Sequence, residues 1–333
     1  MNLKNNTHNQ HFIPQVEQRF NARNPQASKS EQQIYSFSVK NMKDRENYEI
    51  SLDDKDGTYI QQNLSEEHLF SFDGADESSE RFNFEALFHQ YESDIGTNTT
   101  TLLSKLDSGC VDTQTEVRNI FNAKMLNFYR NPFSIEKALN TVGTLGSYSP
   151  TDSEIANMLN AVHLGNKPEK KEICSKYGIS YQEYEQWLSN LFMLLHELKD
   201  GLPNIMEMSN NTLFTDSSNF VSAIIYKYEN EHCLLSDRGF SIPLPEDDYL
   251  ALDFNLCSHA FISYTFLDFD KFAPKEVPKD ALNACKFRPR SIDVRYILDD
   301  LDALQFYNKN VIYQCHGKVY GSADAYLGVQ VLK

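Results

Sequence analysis

The chain has 333 residues and carries 31 basic against 47 acidic side chains, which gives a formal net charge of −16. Apolar residues make up 41% of the sequence and aromatic residues 12%, enough for a sizeable core, so the composition excludes global disorder. The acidic excess also excludes a protein that coats nucleic acid or anionic membrane by bulk electrostatics. A local neutral or positive pocket within this acidic surface remains compatible with the charge.

Nothing in the first 30 residues has the length and apolarity of a signal peptide, and the apolar runs are too short to span a bilayer. The six cysteines include no closely spaced pair of the C-x-x-C type, which disfavours structural zinc. We therefore expect a cytoplasmic protein with reduced, buried thiols and no membrane partner. Cofactors and metals stay unassigned, and a protein partner stays open.

The chain begins with a polar arm at 1–33, and the apolar island at 11–20 within it is expected to dock on the body. Residues 34–72 are predicted to form β structure, with strands at 34–39, 46–52 and 68–72. DDKDG at 53–57 lacks the first and last ligands of a calcium-binding EF-hand loop, so we interpret it as a hairpin turn.

Residues 81–205 show helical periodicity and contain three capping-box patterns. A first helix includes Phe82 to Tyr91, and the polar TNTT at 97–100 is expected to bend or interrupt it. The capping boxes predict that further helices begin at Thr113–Glu116, Thr151–Glu154 and Ser180–Glu183.

After residue 210 the pattern returns to strands, predicted at 220–228, 232–237, 248–254 and 259–266. A last helix is predicted at 293–316, within a helical C-terminal part at 278–333. Acidic loops are predicted at 74–80 and 246–248. Because strands and helices occur in separate runs, the fold class is α+β. We expect one module over 1–333, in which the β-rich N-terminal and C-terminal segments form a sheet beside a central helical bundle.

Simple sequence motifs for dinucleotide binding, a P-loop, a zinc protease or a hydrolase nucleophile elbow do not occur. His8 and His11 are three residues apart, but Pro14 follows closely, so packing is favoured over a metal site. Glu85, His89 and Glu92 share one helix face, which could bind a metal or perform acid/base chemistry. We favour the simpler interpretation, a solvated edge with a local His–Glu hydrogen bond.

Two further residues have both a structural and a functional interpretation. Arg130 ends a predicted helix, where a cation interacts well with the helix dipole, but it could also bind an anion at the head of a pocket. Asp237 follows an apolar strand, a position that suits a catalytic carboxylate and a turn-stabilising one equally.

Several segments together resemble the bacterial family called domain of unknown function four-two-three-eight. NQHFIPQVEQRF at 9–20 is similar to that family's His-His-Tyr-Val-Pro-Gln opening, with Gln10 in place of its first histidine. FEALFHQYESDIG at 84–96 resembles its Glu-bearing helix, and LNFYRNP at 126–132 its Arg-Thr-Pro segment. LLSDRGF at 234–240 resembles its Thr-Ser-Asp-Asn-Pro strand, with Arg238 and Gly239 in place of Asn-Pro, and Asn308 with Val319–Tyr320 matches its closing element.

The resemblance covers nearly the whole chain in the right order and implies no established activity. It singles out six polar residues: His11, Gln15, Glu92, Arg130, Asp237 and Asn308. We expect His11, Glu92 and Asp237 to be catalytic, and Gln15, Arg130 and Asn308 to hold the substrate. This set suits a hydrolase acting on a phosphate- or amide-containing substrate, for example a nuclease-like toxin or phage-defence effector. The alternative is a non-catalytic sensor or protein-interaction module, in which the same residues pin the N-terminal arm to the core.

Overall fold

A computed structural model describes residues 3–40, 48–74, 80–198, 201–243, 249–273 and 291–332, together with residues 276, 278 and 280. The predicted acidic loop at 246–248 and most of the one at 74–80 lie outside the described residues. So do residues 46–47 of a predicted strand and most of the stretch 278–290.

The fold is α+β, as the segregated sequence pattern predicts. The described helices are α1 Gln15–Phe20, α2 Glu85–Asp107, α3 Gln114–Arg130, α4 Ile135–Val142, α5 Ser153–Leu164, α6 Lys170–Tyr177, α7 Tyr181–Leu195, α8 Ile205–Thr215, α9 Phe269–Phe272 and α10 Leu301–Gln314. The described strands are β1 Asn9–His11, β2 Gln33–Val39, β3 Glu49–Leu52, β4 Thr58–Tyr59, β5 Ser65–Glu67, β6 Ser71–Asp73, β7 Arg81–Asn83, β8 Asn219–Lys227, β9 Leu235–Ser236, β10 Tyr249–Cys257, β11 Ala260–Asp268, β12 Asp293–Leu298, β13 Lys318–Gly321 and β14 Gln330–Leu332.

Two sheets dominate the β structure. One has the order β10-β11-β8-β12, and the other the order β14-β3-β2-β13-β9 with β4 paired to β2. The pairs β12–β8 and β14–β3 are parallel, and the others are antiparallel. Strand β13, near the C-terminus, therefore lies between β2 from the N-terminal part and β9 from the middle of the chain.

The N-terminal segment is built into the body by backbone pairing. Strand β1 pairs with β5, and the Asn83 backbone N–H donates to the Leu3 carbonyl at 3.0 Å. Helix α1, within the island at 11–20, packs against α2, β2 and β10. The segment thereby brings His8 and His11 next to residues that lie about 50 to 60 positions further along the chain.

Capping patterns in the sequence predicted where several helices begin. The box at Ser180 and Glu183 is present in both directions, with hydrogen bonds of 3.2 and 2.7 Å. The box predicted at Thr113 is wrong, because Glu116 instead accepts a hydrogen bond from Lys105 at 2.8 Å. Helix α5 is capped by Asp152 rather than by Thr151.

Two helix predictions need correction. Helix α2 continues through TNTT without a break, since Thr97 and Thr100 donate to carbonyls four residues earlier and Thr99 is buried. The last helix begins only at Leu301, because 293–298 form β12, which pairs with β8. The C-terminal part is therefore not simply helical, since β12, β13 and β14 flank α10. The turn at 53–57 is confirmed: Gly57 has φ +76° and its N–H donates to the Asp54 carbonyl.

Candidate functional site

His11, Glu92 and Arg130 come together where the N-terminal segment crosses α2 and α3. Arg130 is fully buried, and its Nη1 donates to Glu92 Oε1 at 2.7 Å while the guanidinium lies 4.9 Å from the centre of the Phe88 ring. Burial lowers the pKa of the His11 imidazole, and the charges of Glu92 and Arg130 act on it in opposite directions. His11 Nε2 lies 3.4 Å from the Ile60 carbonyl. Three of the six predicted residues therefore lie close together, with His11 and Arg130 buried and Glu92 partly exposed.

Glu85 joins this cluster from the first turn of α2. Burial raises the pKa of its carboxyl group to about 7, against the attraction of Arg130, and its Oε1 is buried without a hydrogen-bond partner. His89, on the same helix, is exposed. The predicted local His–Glu hydrogen bond is wrong, because Glu92 is engaged by Arg130. Within the described part of the chain, no group of three or more His, Cys, Asp or Glu residues is placed to hold a metal ion.

Gln15 has its own partner at the start of α1. Its Oε1 accepts a hydrogen bond from Arg19 at 2.5 Å, and Arg19 also donates to the Lys29 carbonyl at 2.7 Å. The Arg19 charge acts on His11, so Gln15 borders the cluster through Arg19. Its carbonyl group serves to orient a neighbouring arginine of the same helix.

Asp237 holds a backbone turn between α10 and β13. Its carboxylate accepts hydrogen bonds of 2.8, 2.8 and 2.9 Å from the backbone N–H groups of His316, Gly317 and Lys318. Burial raises the pKa of this carboxyl group, and the three hydrogen bonds oppose that shift. Because both oxygens are occupied, the side chain acts as a clamp and is poorly placed to take a proton from a substrate.

Asn308 pins α10 to the segment that leads into β9. Its Oδ1 accepts from the Leu234 backbone N–H at 3.0 Å, and its Nδ2 donates to the His232 carbonyl at 3.1 Å. The side chain is fully buried. The structure therefore separates the six predicted residues into one buried cluster and several local clamps.

A different group of polar side chains lines an open pocket of about 280 Å³ beside the N-terminal segment. It is formed by residues that precede β1, by the connection between β5 and β6, by the start of β7 and by the residue before α6. The lining residues are Asn5, Asn6, Thr7, His8, His68, Arg81 and Glu169.

His68 has an unusual backbone and a partly buried ring. Its φ is +56°, a conformation that is uncommon for residues other than glycine and costs free energy that the surrounding structure must supply. The ring lies 4.6 Å from that of His8, and Nε2 lies 3.9 Å from Glu169 Oε1, beyond hydrogen-bond distance. Burial lowers the pKa of His68, and Nδ1 is buried without a hydrogen-bond partner. Burial therefore favours the neutral form of the ring, and because Nδ1 is shielded from solvent, Nε2 is the nitrogen that could accept a proton from water.

Arg81 supplies the positive charge of the pocket. Its guanidinium donates to Asp73 at 3.0 Å and to Glu169 at 2.6 Å, and these contacts raise its pKa. Its Nε is buried without a hydrogen-bond partner among the described residues. A fixed cation beside a neutral imidazole is an arrangement that can bind an anion and remove a proton from water.

The sequence offers little signal for this pocket. His68 stands in a segment interpreted only as a strand, and Arg81 and Glu169 lie 13 and 101 residues further along the chain. Gln10 shows how the N-terminal segment is held there: its side chain donates to Ser71 Oγ at 2.9 Å and accepts from the Phe70 backbone N–H at 2.7 Å. The position that carries a histidine in the family that the chain resembles thus has a structural role.

Comparison with models of protein families, with curated proteins and with solved structures gives no match. The resemblance to the family four-two-three-eight therefore remains a prediction. Among the helices of the described residues, none has both the length and the apolarity needed to cross a bilayer.

Proposed function

We propose that the protein hydrolyses small phosphate esters in the pocket formed by His8, His68, Arg81 and Glu169, which we call the His68 pocket. The observation that carries this proposal is the neutral His68 imidazole, held at positive φ next to the charged Arg81 guanidinium. The pocket is small, at the lower end of the range of about 300–1,000 Å³ that is usual for ligand sites. The substrate is accordingly a small ester.

Arg81 binds the phosphate group. Two carboxylates already orient its guanidinium, and the part of the side chain that remains exposed, about 20%, faces the pocket as the group that meets the phosphate. Guanidinium groups suit phosphate because their N–H groups lie in a rigid plane. The nearby Asp73 and Glu169 carboxylates repel highly charged ligands, so a phosphodiester with one negative charge fits better than a monoester.

His68 activates water as a general base. It takes a proton from the water as the water oxygen bonds to phosphorus, and the ester P–O bond breaks to release an alcohol, which receives a proton from solvent. Nε2 is the nitrogen that takes this proton, and the charge of Glu169, whose Oε1 lies 3.9 Å from it, stabilises the imidazolium that forms. In this proposal His11, Glu92, Asp237 and Asn308 position the framework, and the acid/base role lies with His68.

The second candidate is non-catalytic binding of the same ligand class, as in a sensor. The separation of 3.9 Å between His68 and Glu169 favours it, because the dyad is not formed in this conformation. Both candidate proteins bind the same ligand class, but only the enzyme hydrolyses it.

The test measures release of p-nitrophenolate from bis(p-nitrophenyl) phosphate and from p-nitrophenyl phosphate. His68→Asn keeps a residue that tolerates positive φ, so it removes the base without adding backbone strain. We expect it to lower kcat/KM for the diester about 100-fold or more at an unchanged melting temperature. His89→Asn, at an exposed position of α2, is the matched control and should stay within about twofold of the wild type.

Saturable binding of the diester without turnover would support the sensor. The enzyme proposal would be overturned by that result, or by turnover that His68→Asn leaves unchanged. Absence of both turnover and binding would overturn both candidates.

A further inference from the structure

A second, largely apolar pocket of about 280 Å³ lies between α3 and β10. Its walls come from α3, from the segment after β9 and from β10, and include Met125, Phe128, Phe240, Ile242, Leu252 and Phe254. These walls present mostly carbon to the cavity. A ligand held there must therefore be mainly hydrocarbon, since a polar group would lose its hydration without gaining hydrogen bonds.

The pocket opens at an edge of the four-stranded sheet. Strand β10 is the first strand of that sheet, and Leu250 at the mouth is 40% exposed while Leu252 and Phe254 deeper in are buried. The apolar core thus continues to the surface at this point. An occupant would extend the core outward and bury the exposed part of Leu250.

Two cations stand near this pocket without an ion-pair partner among the described residues. Lys137 of α4 lines it, with Nζ 5.6 Å from the centre of the Phe240 ring. Arg238 lies close enough for its charge to lower the pKa of Lys137, and its Nε is buried without a hydrogen-bond partner. The exposed Glu136 offsets this repulsion only in part. In a chain with 16 more acidic than basic groups, two neighbouring cations that find no ion-pair partner in the described ranges mark a place suited to an anion.

Lys137 as a whole is exposed, but its Nζ lies against the Phe240 ring and interacts with a ligand more strongly than a fully solvated lysine would. Burial is the largest cause of its lowered pKa. An ammonium that has already lost part of its hydration gains more from a carboxylate, because the local dielectric is lower. The pocket therefore combines hydrocarbon walls with one anion-binding group at its side.

We propose that this pocket binds a medium-chain aliphatic carboxylate, whose chain packs against Phe128, Phe240 and Leu252 and whose headgroup pairs with Lys137. Each methylene that leaves water adds to the affinity, so the chain supplies most of it. The headgroup supplies the selectivity. Arg238 adds a long-range attraction and interacts with the same carboxylate. The site is independent of the His68 pocket.

The experiment is calorimetric titration of the full chain with octanoate, octanol and octyltrimethylammonium. We expect saturable binding of one octanoate, at least tenfold weaker binding of octanol, and no binding of the cation. Lys137→Met should raise the Kd for octanoate about tenfold, the value of one charge-assisted contact, and leave octanol within about twofold. Lys171→Met, at an exposed position of α6, is the matched control and should change neither value.

A blocking variant tests the location. Leu250→Trp places a large ring at the exposed mouth, where it does not disturb the buried core, and should abolish binding of octanoate and octanol alike. The proposal is overturned if octanoate does not saturate, if octanol binds as tightly, or if Lys137→Met leaves the Kd for octanoate unchanged.

Discussion

Arg130, which has no solvent exposure, donates a hydrogen bond of 2.7 Å to Glu92, whose side chain is 27% exposed. The pair joins the end of α3 to the middle of α2 beneath the N-terminal segment. The two partners differ in how they would respond to the loss of the other. Glu92 can be hydrated when it is alone, whereas Arg130 cannot.

This asymmetry predicts unequal effects of the two single substitutions. Glu92→Gln should lower the free energy of unfolding by about 3–5 kcal/mol, because it leaves a buried guanidinium without its hydrogen-bonded counter-charge. Arg130→Met should cost less, about 1–3 kcal/mol, since methionine fills much of the space and Glu92 gains water. Urea denaturation at pH 7 checks both, with the exposed Glu172→Gln as a control expected within about 0.5 kcal/mol of the wild type. Equal costs would contradict the asymmetry.

Removal of the Asp237 carboxylate should lower the stability of the protein, and any loss of activity should follow from that loss of stability. Asp237→Ala leaves three backbone N–H groups, of His316, Gly317 and Lys318, without their acceptor. We expect a loss of about 2–4 kcal/mol, and a smaller loss for Asp237→Asn, which keeps one acceptor oxygen. Thermal denaturation measures this. A variant that lost ester hydrolysis at an unchanged melting temperature would restore the catalytic role predicted from sequence.

Glu85 should make the protein less stable as the pH rises. Its folded-state pKa of about 7 lies above its usual value of 4.5, so its contribution is fully present below pH 4.5 and is lost as the pH rises through 7. Glu85→Gln should therefore stabilise the protein at pH 8, by up to about 3 kcal/mol, and have little effect near pH 4.5. Urea denaturation across this range gives the answer. A substitution effect that is independent of pH would show that Glu85 is not buried as described.

Asp253 on β10 should act in the same direction from a separate place. Burial raises its pKa from 3.8 to about 7, and its Oδ1 is buried without a hydrogen-bond partner. Asp253→Asn should also stabilise the protein as the pH rises from 3.8 through 7. Because Asp253 and Glu85 titrate in overlapping ranges, the double variant should show a flatter pH dependence than either single variant. Non-additive effects at pH 8 would indicate that the two sites are coupled.

The buried pair of Glu17 and Lys124 should hold α1 against α3. Both side chains are almost fully buried, Glu17 also accepts from Asn127, and Lys124 also donates to the Asn255 carbonyl at 2.6 Å. Glu17→Gln or Lys124→Met alone should cost about 3–5 kcal/mol, because each leaves the other charge buried and unpaired. The double variant should cost less than the sum, and a double-mutant cycle of denaturation free energies measures the difference. A coupling near zero would mean that solvent reaches the pair.

Periodic patterns in the sequence located most elements because they are local. The Ser180–Glu183 box depends only on contacts three residues apart, and the cap forms as predicted. Thr113 shows where this reasoning stops: Glu116 lies at the right spacing, but Lys105 from α2 takes its carboxylate. Residues 293–298 form β12 and not the start of the predicted helix, because they pair with β8, about 70 residues earlier, and local periodicity cannot show such a pairing.

The amino-acid sequence by itself determined the α+β class, most helix positions, the turn at 53–57 and a set of polar residues worth testing. Tertiary structure alone decided what those residues do. Arg130 meets Glu92 across 38 positions, Asp237 meets the turn at 316–318 across about 80, and His68 meets Glu169 across 101. The physical reason is that propensity and periodicity act over one or two turns of chain. Burial, pKa shifts and hydrogen-bond saturation instead depend on which distant segments the packed core brings together.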